Sequence, residues 1–392
     1  MRIFGKDKMK IFYVLDHNLS KQVAGTFHVK EVTENLHLLG CDVTLFIPEY
    51  GADNYETTVR KVIIPTTQIR LLRVFLFYTL VVPYLLFHTI KEKPDIYYIR
   101  EMYISFTVQF LAKLIGIPQV IECNGVPSEE VKDLGGSFWA YKLSHKFQEI
   151  NIRMADKVIT VTGQLKKLLS TRYHTSPEKI IVVRNGANTD LFKPISKTKA
   201  QQELKLDENF NYACFVSSFY PYHGVSELIH SAKIVLVKNP NIKFLMVGDG
   251  NDRNQCEKLV QKLGIAENFI FTGSMTHEKV PLYISASDFA ICFIRSSQKD
   301  DLYSPLKLYE YLACGVPVLA SEGIECGQFV ESIQAGISVE LDNFEEISKG
   351  ILKILDENLA EKFRVNGRTY IEKNGSWHSV AEKVLTECKK LV

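Results

Sequence analysis

Lys307 and Glu310 are the pair in this sequence with the clearest chemical use. They lie in Ser304-Pro305-Leu306-Lys307-Leu308-Tyr309-Glu310-Tyr311-Leu312-Ala313-Cys314-Gly315-Val316-Pro317-Val318. A serine cap with proline at the first helical position starts a helix, and Gly315 with Pro317 stops it, so the spacing predicts about eleven helical residues. Leu306, Tyr309, Leu312 and Ala313 then share an apolar face, and Lys307 and Glu310 share another. A lysine in the first turn opposes the helix dipole by roughly 0.3–1 kcal/mol unless an anion lies between it and the free backbone N–H groups. Phosphate would satisfy both, and Glu310 is placed to accept hydrogen bonds from vicinal hydroxyls such as those of a ribose. An ordinary amphipathic helix with a solvated Lys/Glu pair has the same spacing.

The elements that must position this pair are legible as short apolar runs alternating with helical patterns. Strands are expected near Ile11–Leu15, Val43–Ile47, Val62–Ile64, Ile96–Ile99, Val120–Glu122, Val158–Val161 and Ile180–Val183. A second series runs through Ala213–Ser217, Phe244–Val247, Phe269–Thr272, Phe289–Ile294, Val318–Ala320 and Ile337–Val339. Continuous apolar strands between helices predict an α/β chain with two doubly wound parallel sheets, one domain over 1–190 and one over 191–375. The turn-rich stretch Asn188 to Pro194 is the expected linker. Ligands of such folds bind beyond the carboxyl ends of the strands, so two facing sheets would share a central cleft. Residues 376–392 read as a final helix with Trp377, Val380, Val384 and Leu385 toward a core.

The pattern S-P-x-K-x-x-E-Y-x-A-x-G-x-P-V resembles the nucleotide-sugar signature of the family 4 retaining glycosyltransferases (glycosyl transferases group 1), which have the GT-B fold. Further similarity lies in Val182-Val183-Arg184-Asn185-Gly186-Ala187 leading to Phe192-Lys193-Pro194, in Phe219-Tyr220-Pro221-Tyr222-His223-Gly224-Val225 and in Phe244-Leu245-Met246-Val247-Gly248-Asp249-Gly250. Weaker matches are Pro94-Asp95-Ile96-Tyr97-Tyr98-Ile99-Arg100 and Ile121-Glu122-Cys123-Asn124-Gly125, so the resemblance runs from about Lys10 to the C-terminus. It implies two Rossmann-like domains, an acceptor side followed by a donor side, with the last helix crossing back onto the first domain. It implies transfer of a sugar from a nucleotide-diphosphate sugar to a saccharide or lipid-linked acceptor, in cell-surface polysaccharide or glycolipid synthesis, by a retaining hexosyltransferase.

The resemblance further implies that Glu310 holds the ribose and that Ser304, Pro305, Leu306 and Lys307 lie near the diphosphate. Ser218, His223 and Gly224 should reach the same place. Family members often carry Arg where Ser218 stands and Lys where His223 stands, so the usual cationic clamp is altered, and Arg295 is the candidate replacement. The residue eight before Glu310 is Leu302, where the family has the first of two glutamates; Asp300 and Asp301 are nearby substitutes. Without that glutamate a double displacement has no nucleophile, and same-face substitution through an oxocarbenium-like transition state is expected. Gly25, after a long loop from Asp16, permits close backbone approach to donor phosphate and acceptor. Glu122, Asn124 and His223 are the candidate catalytic residues; Glu122 could equally be an ordinary strand-end carboxylate. His28 is expected to pack rather than act as a base, and His17 is open. No cofactor and no metal are expected, since Asp300-Asp301 alone is a poor divalent site.

Composition narrows the alternatives. Of 392 residues 46% are hydrophobic and 23% charged, with net charge +2, and no basic run interleaves with aromatics, so nucleic acid is not an expected partner. The eight cysteines are scattered without a C-x-x-C pair and read as reduced core residues. No apolar leader precedes the first strand, so a cytoplasmic location is expected. Val74 to Ile90 is a seventeen-residue apolar run containing Tyr78, Pro83, Tyr84 and His88. It reads as a buried or interfacial helix, and it makes peripheral attachment to the inner face of a membrane an expectation to test. The competing functions are a nucleotide-sugar epimerase of the same fold, a non-catalytic nucleotide-sugar-binding protein and, on Gly248-Asp249-Gly250 alone, an NAD-binding dehydrogenase in which Arg253 replaces the third glycine of the fingerprint.

Overall fold

The computed structural model describes residues 8–21, 23–52, 55–101, 104–133, 135–295 and 302–392. Two compact units make up the chain, Met1–Arg184 with Trp377–Val392, and Asn185–Ser376.

In the first unit the order is β1 (Lys10–Val14), α1 (Ala24–Leu38), β2 (Asp42–Pro48), β3 (Arg60–Ile64), α2 (Arg70–Glu92), β4 (Ile96–Arg100), α3 (Phe106–Ile115), β5 (Gln119–Cys123), α4 (Pro127–Asp133), α5 (Phe138–Met154), β6 (Lys157–Thr160), α6 (Gly163–Tyr173) and β7 (Ile180–Val182). The seven strands are parallel in the order β3-β2-β1-β4-β5-β6-β7. Ile11-Phe12-Tyr13-Val14 is apolar throughout and buried throughout, because helices cover both faces of a central parallel strand. At the edge, β3 leaves Arg60, Lys61 and Ile63 exposed. The strand order reverses between β1 and β4, and the segments leaving these two strands carry Asp16, His17 and Arg100.

The second unit runs α7 (Lys197–Glu203), β8 (Asn211–Val216), α8 (Val225–Lys238), β9 (Ile242–Val247), α9 (Arg253–Lys262), β10 (Phe269–Gly273), α10 (Val280–Ser285), β11 (Phe289–Cys292), α11 (Leu306–Ala313), β12 (Val318–Ser321), α12 (Glu325–Ser332), β13 (Gly336–Val339), α13 (Phe344–Ile354) and α14 (Glu357–Tyr370). Its six strands are parallel in the order β10-β9-β8-β11-β12-β13, reversing between β8 and β11. One apolar cluster fills each side of this sheet, one built on Tyr311, Leu312 and Ala313, the other on Phe244, Met246 and Leu228. The last helix, α15 (Trp377–Lys389), belongs to the first unit, where the Trp377 ring meets His28 of α1 edge-on at 5.2 Å.

Every strand expected from the sequence is present among the described residues, with ends differing by at most two positions. The unit boundary falls at Arg184/Asn185 rather than 190, because the Asn185 side chain donates to the Ser304 carbonyl at 2.6 Å and so is tied to the second unit. The expected eleven-residue helix is shorter. It spans Leu306–Ala313, Pro305 occupies the cap position, and Ser304 does not cap it, because its hydroxyl lies 2.9 Å from the Tyr309 hydroxyl instead. The apolar run Val74–Ile90 is the centre of a 23-residue helix, α2.

Candidate functional site

In the second unit the sheet delivers three elements to one place. The chain leaving β8 forms a short turn over Pro221–His223 and enters α8 through Gly224, whose φ of 63° lies in the left-handed region. A Cβ at Gly224 would sit 3.0 Å from the Phe293 Cβ, so glycine is required there by both conformation and space. Gly248 and Gly250 after β9 are also explained by packing. A Cβ on Gly248 would fall 1.9 Å from the Ser217 carbonyl oxygen, and one on Gly250 would fall 2.5 Å from the Phe219 nitrogen. Arg253 pairs with Glu257 and Asp249 on the surface. These glycines let the loop after β8 lie against β9, which removes the hint of a dinucleotide fingerprint. Tyr311 of α11 ties the same region together, its buried hydroxyl accepting from the Val216 N–H at 2.8 Å.

Lys307, in the first turn of α11, is 8% exposed. Its Nζ lies 4.8 Å from the centre of the Phe215 ring and has no hydrogen-bond partner among the described residues. Burial depresses its pKa from the ordinary 10.5, against the pull of Cys292, Cys326 and Glu310. No acidic side chain lies in the first turn of α11 and no side chain caps it. A buried cation and uncapped backbone N–H groups at one helix end make an anion site. His223 adds a third group. Its Nδ1 is buried without a partner, and burial, then the charge of Lys307, push its pKa down from 6.5 to about 2. In the ligand-free protein His223 is therefore a neutral imidazole, and the cation that lysine would supply at this position is absent.

Glu310 is equally buried, and its Oε1 lies 2.8 Å from Nε2 of His277, in the turn after β10. The His277 ring packs on Phe192 at 5.0 Å. Sequence reasoning missed His277; its only signal was a histidine five residues beyond the predicted strand end at Thr272, on the carboxyl edge of the sheet. Lys307 and Glu310 therefore do not present one solvated polar face, because every residue from Lys307 to Ala313 is buried. Arg295 is a further correction. Its Nε donates to Glu227 of α8 at 2.7 Å and its NH2 approaches the same carboxylate, so the candidate replacement cation is already paired. Ser218 is exposed, and Leu302, where the family has glutamate, is buried at 6%. Asp300 and Asp301 lie outside the described residues. A cavity of about 590 Å³ in this unit is at the opposite, amino ends of the strands, bordered by Asn211, Asp288 and Val316, and contains none of these groups.

In the first unit, Glu122 at the end of β5 is 1% exposed. Tyr98 donates to it at 2.6 Å, Tyr13 at 3.3 Å and Asn124 at 2.5 Å, while His28 Nε2 lies 2.7 Å and Arg100 3.9 Å away. Although burial alone would raise its pKa, His28 and Arg100 with these hydrogen bonds hold the carboxyl far below its ordinary value of 4.5. Glu122 is thus a buried, saturated carboxylate, and its candidate role in direct substrate contact is corrected to that of a positioning residue. Asn124, half-buried, and His28, which is more than packing, are the side chains it fixes. Gly25, in the first turn of α1, would carry a Cβ 3.1 Å from His17 Nε2 and 3.5 Å from Arg100 NH2, so its lack of a side chain keeps two basic groups open beside a helix start. His17 Nε2 is buried without a partner, and its pKa is lowered to about 4 by burial, Arg100 and Lys21. Arg100 was legible as the charged residue ending a strand and as the last residue of one of the weaker family matches. Among the described residues no cluster of three or more His, Cys, Asp or Glu could hold a metal ion.

Residues 25–191 match the family model "Glycosyltransferase Family 4", and residues 196–370 match "Glycosyl transferases group 1". An uncharacterized glycosyltransferase of Methanocaldococcus jannaschii is 26% identical over 245 residues, 61% of this chain and 58% of that protein. A UDP-Gal:alpha-D-GlcNAc-diphosphoundecaprenol alpha-1,3-galactosyltransferase of Escherichia coli is 24% identical over 341 residues, 84% of each chain. Among solved structures, HepE of Anabaena in complex with UDP superposes with a TM-score of 0.77 at 16% identity, over 98% of this chain and 100% of that one. The two family models cover its two halves, each half holds one parallel sheet, and the chain superposes on a solved glycosyltransferase over nearly its whole length; it belongs to the family 4 glycosyltransferases and has the GT-B fold.

Proposed function

We propose that this glycosyltransferase moves a hexose from a nucleoside-diphosphate sugar to a saccharide or lipid-linked acceptor with retention of anomeric configuration and without a metal ion. The observation that carries the reading is the buried, unpartnered Lys307 at the uncapped start of α11, beside the neutral His223. A diphosphate there would accept hydrogen bonds from the free N–H groups and pair with Lys307, raising the lysine's depressed pKa. His223 would donate one hydrogen bond to it. Glu310, with Oε1 held by His277, keeps Oε2 for the two ribose hydroxyls.

In the transfer step the bond between the anomeric carbon and the leaving phosphate oxygen breaks, and its electron pair goes to the diphosphate. Lys307 and the α11 dipole stabilise that developing charge. The acceptor oxygen bonds to the anomeric carbon on the same face, and its proton passes to the departing phosphate oxygen. Leu302 offers no carboxylate for a covalent intermediate, which supports same-face substitution over double displacement. The positive charge of Lys307 supplies what a divalent cation would supply to the leaving group. The names of the relatives, which include an enzyme acting on a diphosphoundecaprenol-linked sugar, support a saccharide or lipid-linked acceptor of the kind used in polysaccharide or glycolipid synthesis.

The test is incubation with UDP- and GDP-sugars and a mixed pool of saccharide and polyprenyl-diphosphate acceptors, with the product anomer read by proton NMR. Retained configuration and activity in EDTA are expected. An inverted product would overturn the mechanism, and loss of activity in EDTA restored by Mg²⁺ or Mn²⁺ would overturn metal independence. Absence of both turnover and nucleotide-induced thermal stabilisation would overturn the reading itself.

A further inference from the structure

The outer stripe of α2 is apolar where a surface helix of a soluble protein is normally charged. Its exposed positions recur at helical spacing as Leu72, Phe75, Pro83, Leu86, Phe87 and Ile90. Apart from Lys91 in the last turn, the polar residue exposed among the described side chains of α2 is Thr79, which turns its hydroxyl back to the Phe75 carbonyl at 2.7 Å. The opposite stripe, Phe77, Tyr78, Val81 and Leu85, is buried within the unit. α2 is long and apolar enough to cross a membrane, yet it connects β3 to β4 of one sheet, so it lies along the sheet and does not span.

Its neighbours continue the surface. α3 packs against both α2 and α5, and it exposes Phe110 and Leu114 beside Lys113. α5 exposes Phe138 at 63% and Trp139 at 76%, with Lys142 Nζ 4.6 Å from the centre of the Phe138 ring. Outside their ion pairs, the charged side chains of these three helices are basic. Their only carboxylates are Glu92, paired with Arg60 and His88, and Glu149, paired with Lys146 and Arg153. Lys91, Lys113 and Lys142 remain exposed among the apolar side chains.

We propose that the α2–α3–α5 face of the first unit docks on an anionic lipid bilayer, with the α2 stripe and Phe138-Trp139 in the interfacial region and the lysines on the lipid headgroups. Aromatic rings beside lysines suit that boundary, where an apolar body is buried and the ammonium reaches the headgroups. This proposal stands apart from the transferase reading, because docking needs neither donor nor acceptor.

The test uses the full chain with vesicles of phosphatidylcholine alone or with about a third phosphatidylglycerol. The protein has two tryptophans, Trp139 exposed and Trp377 buried, so intrinsic fluorescence reports on Trp139. Cosedimentation with the anionic vesicles only, a blue shift on binding and release by salt are expected. The double variant Phe75→Ser/Phe87→Ser should bind about tenfold or more weakly, and Lys142→Glu should weaken binding at low salt, both with unchanged thermal melting. The proposal fails if the protein stays in the supernatant at low salt, or if both variants bind as wild type. It also fails if sedimentation velocity shows that these residues hold two copies of the chain together without vesicle binding.

Discussion

Replacing Lys307 by methionine should make the ligand-free protein more stable and its nucleotide binding much weaker. Methionine replaces the lysine chain up to but not including Nζ with a flexible apolar side chain suited to the aromatic surroundings. The substitution removes a buried ammonium with no hydrogen-bond partner, a relief of about 1–3 kcal/mol, and forfeits a cation–π contact of about 0.5–1 kcal/mol. The net gain, centred on about 1 kcal/mol, corresponds to a Tm rise of about 2–4 °C for a unit of this size. Its pH dependence has a definite sign. The folded protein binds a proton at Lys307 less readily than the unfolded chain, so the wild type loses stability as pH falls below 10.5. The advantage of the variant should therefore shrink as pH rises toward 10.5. Binding moves the other way, because losing a charge-assisted contact costs about 1.5–3 kcal/mol, or roughly 10–150-fold in Kd for UDP or GDP by titration calorimetry. A variant that is less stable than wild type, or that binds the tighter of the two nucleotides within about threefold of wild type, would refute the reasoning.

Glu122→Gln should lower stability by about 3–5 kcal/mol, since it leaves His28 and Arg100 without their buried partner. As Glu122 has a strongly lowered pKa, its contribution is present above 4.5 and lost as pH falls below it, so acid unfolding of wild type, but not of the variant, should show this dependence. His223→Gln should remove no limb from the donor kcat/KM profile between about pH 5.5 and 9, because the histidine is already neutral there; a limb lost in the variant would show that His223 is charged in wild type within that range. In calorimetry His277→Ala and Glu310→Gln should each narrow the preference for a ribonucleoside over a 2′-deoxyribonucleoside diphosphate without unfolding the protein, while Leu312→Asp, at a fully buried position, should unfold it. An unchanged preference in both polar variants would remove Glu310 from the ribose.

The strands were legible because parallel strands covered on both faces are apolar without interruption, as in Ile11-Phe12-Tyr13-Val14 and Phe289-Ala290-Ile291-Cys292. Local spacing located the α11 start and marked Lys307 and Glu310, but it could not distinguish a solvated pair from two buried groups, which depends on Phe215 and His277 from other strands. The same limit applies to Arg295 and Glu122, whose partners lie 68 and up to 109 residues away in sequence. Ser304 failed as a cap because the Tyr309 hydroxyl, one helical turn on, competes for the same side chain. The apolar stripe of α2 was visible as a run, whereas the fact that its exposed side is the apolar one needed the sheet on its other side.

A crystal structure with UDP or GDP, whichever binds more tightly, tests the account most directly. The diphosphate should lie at the start of α11 with a phosphate oxygen about 3 Å from Lys307 Nζ, and the ribose hydroxyls should reach Glu310 Oε2. A diphosphate bound elsewhere, for example beside Lys197 and Arg364 in the cavity at the amino ends of the strands, would contradict it.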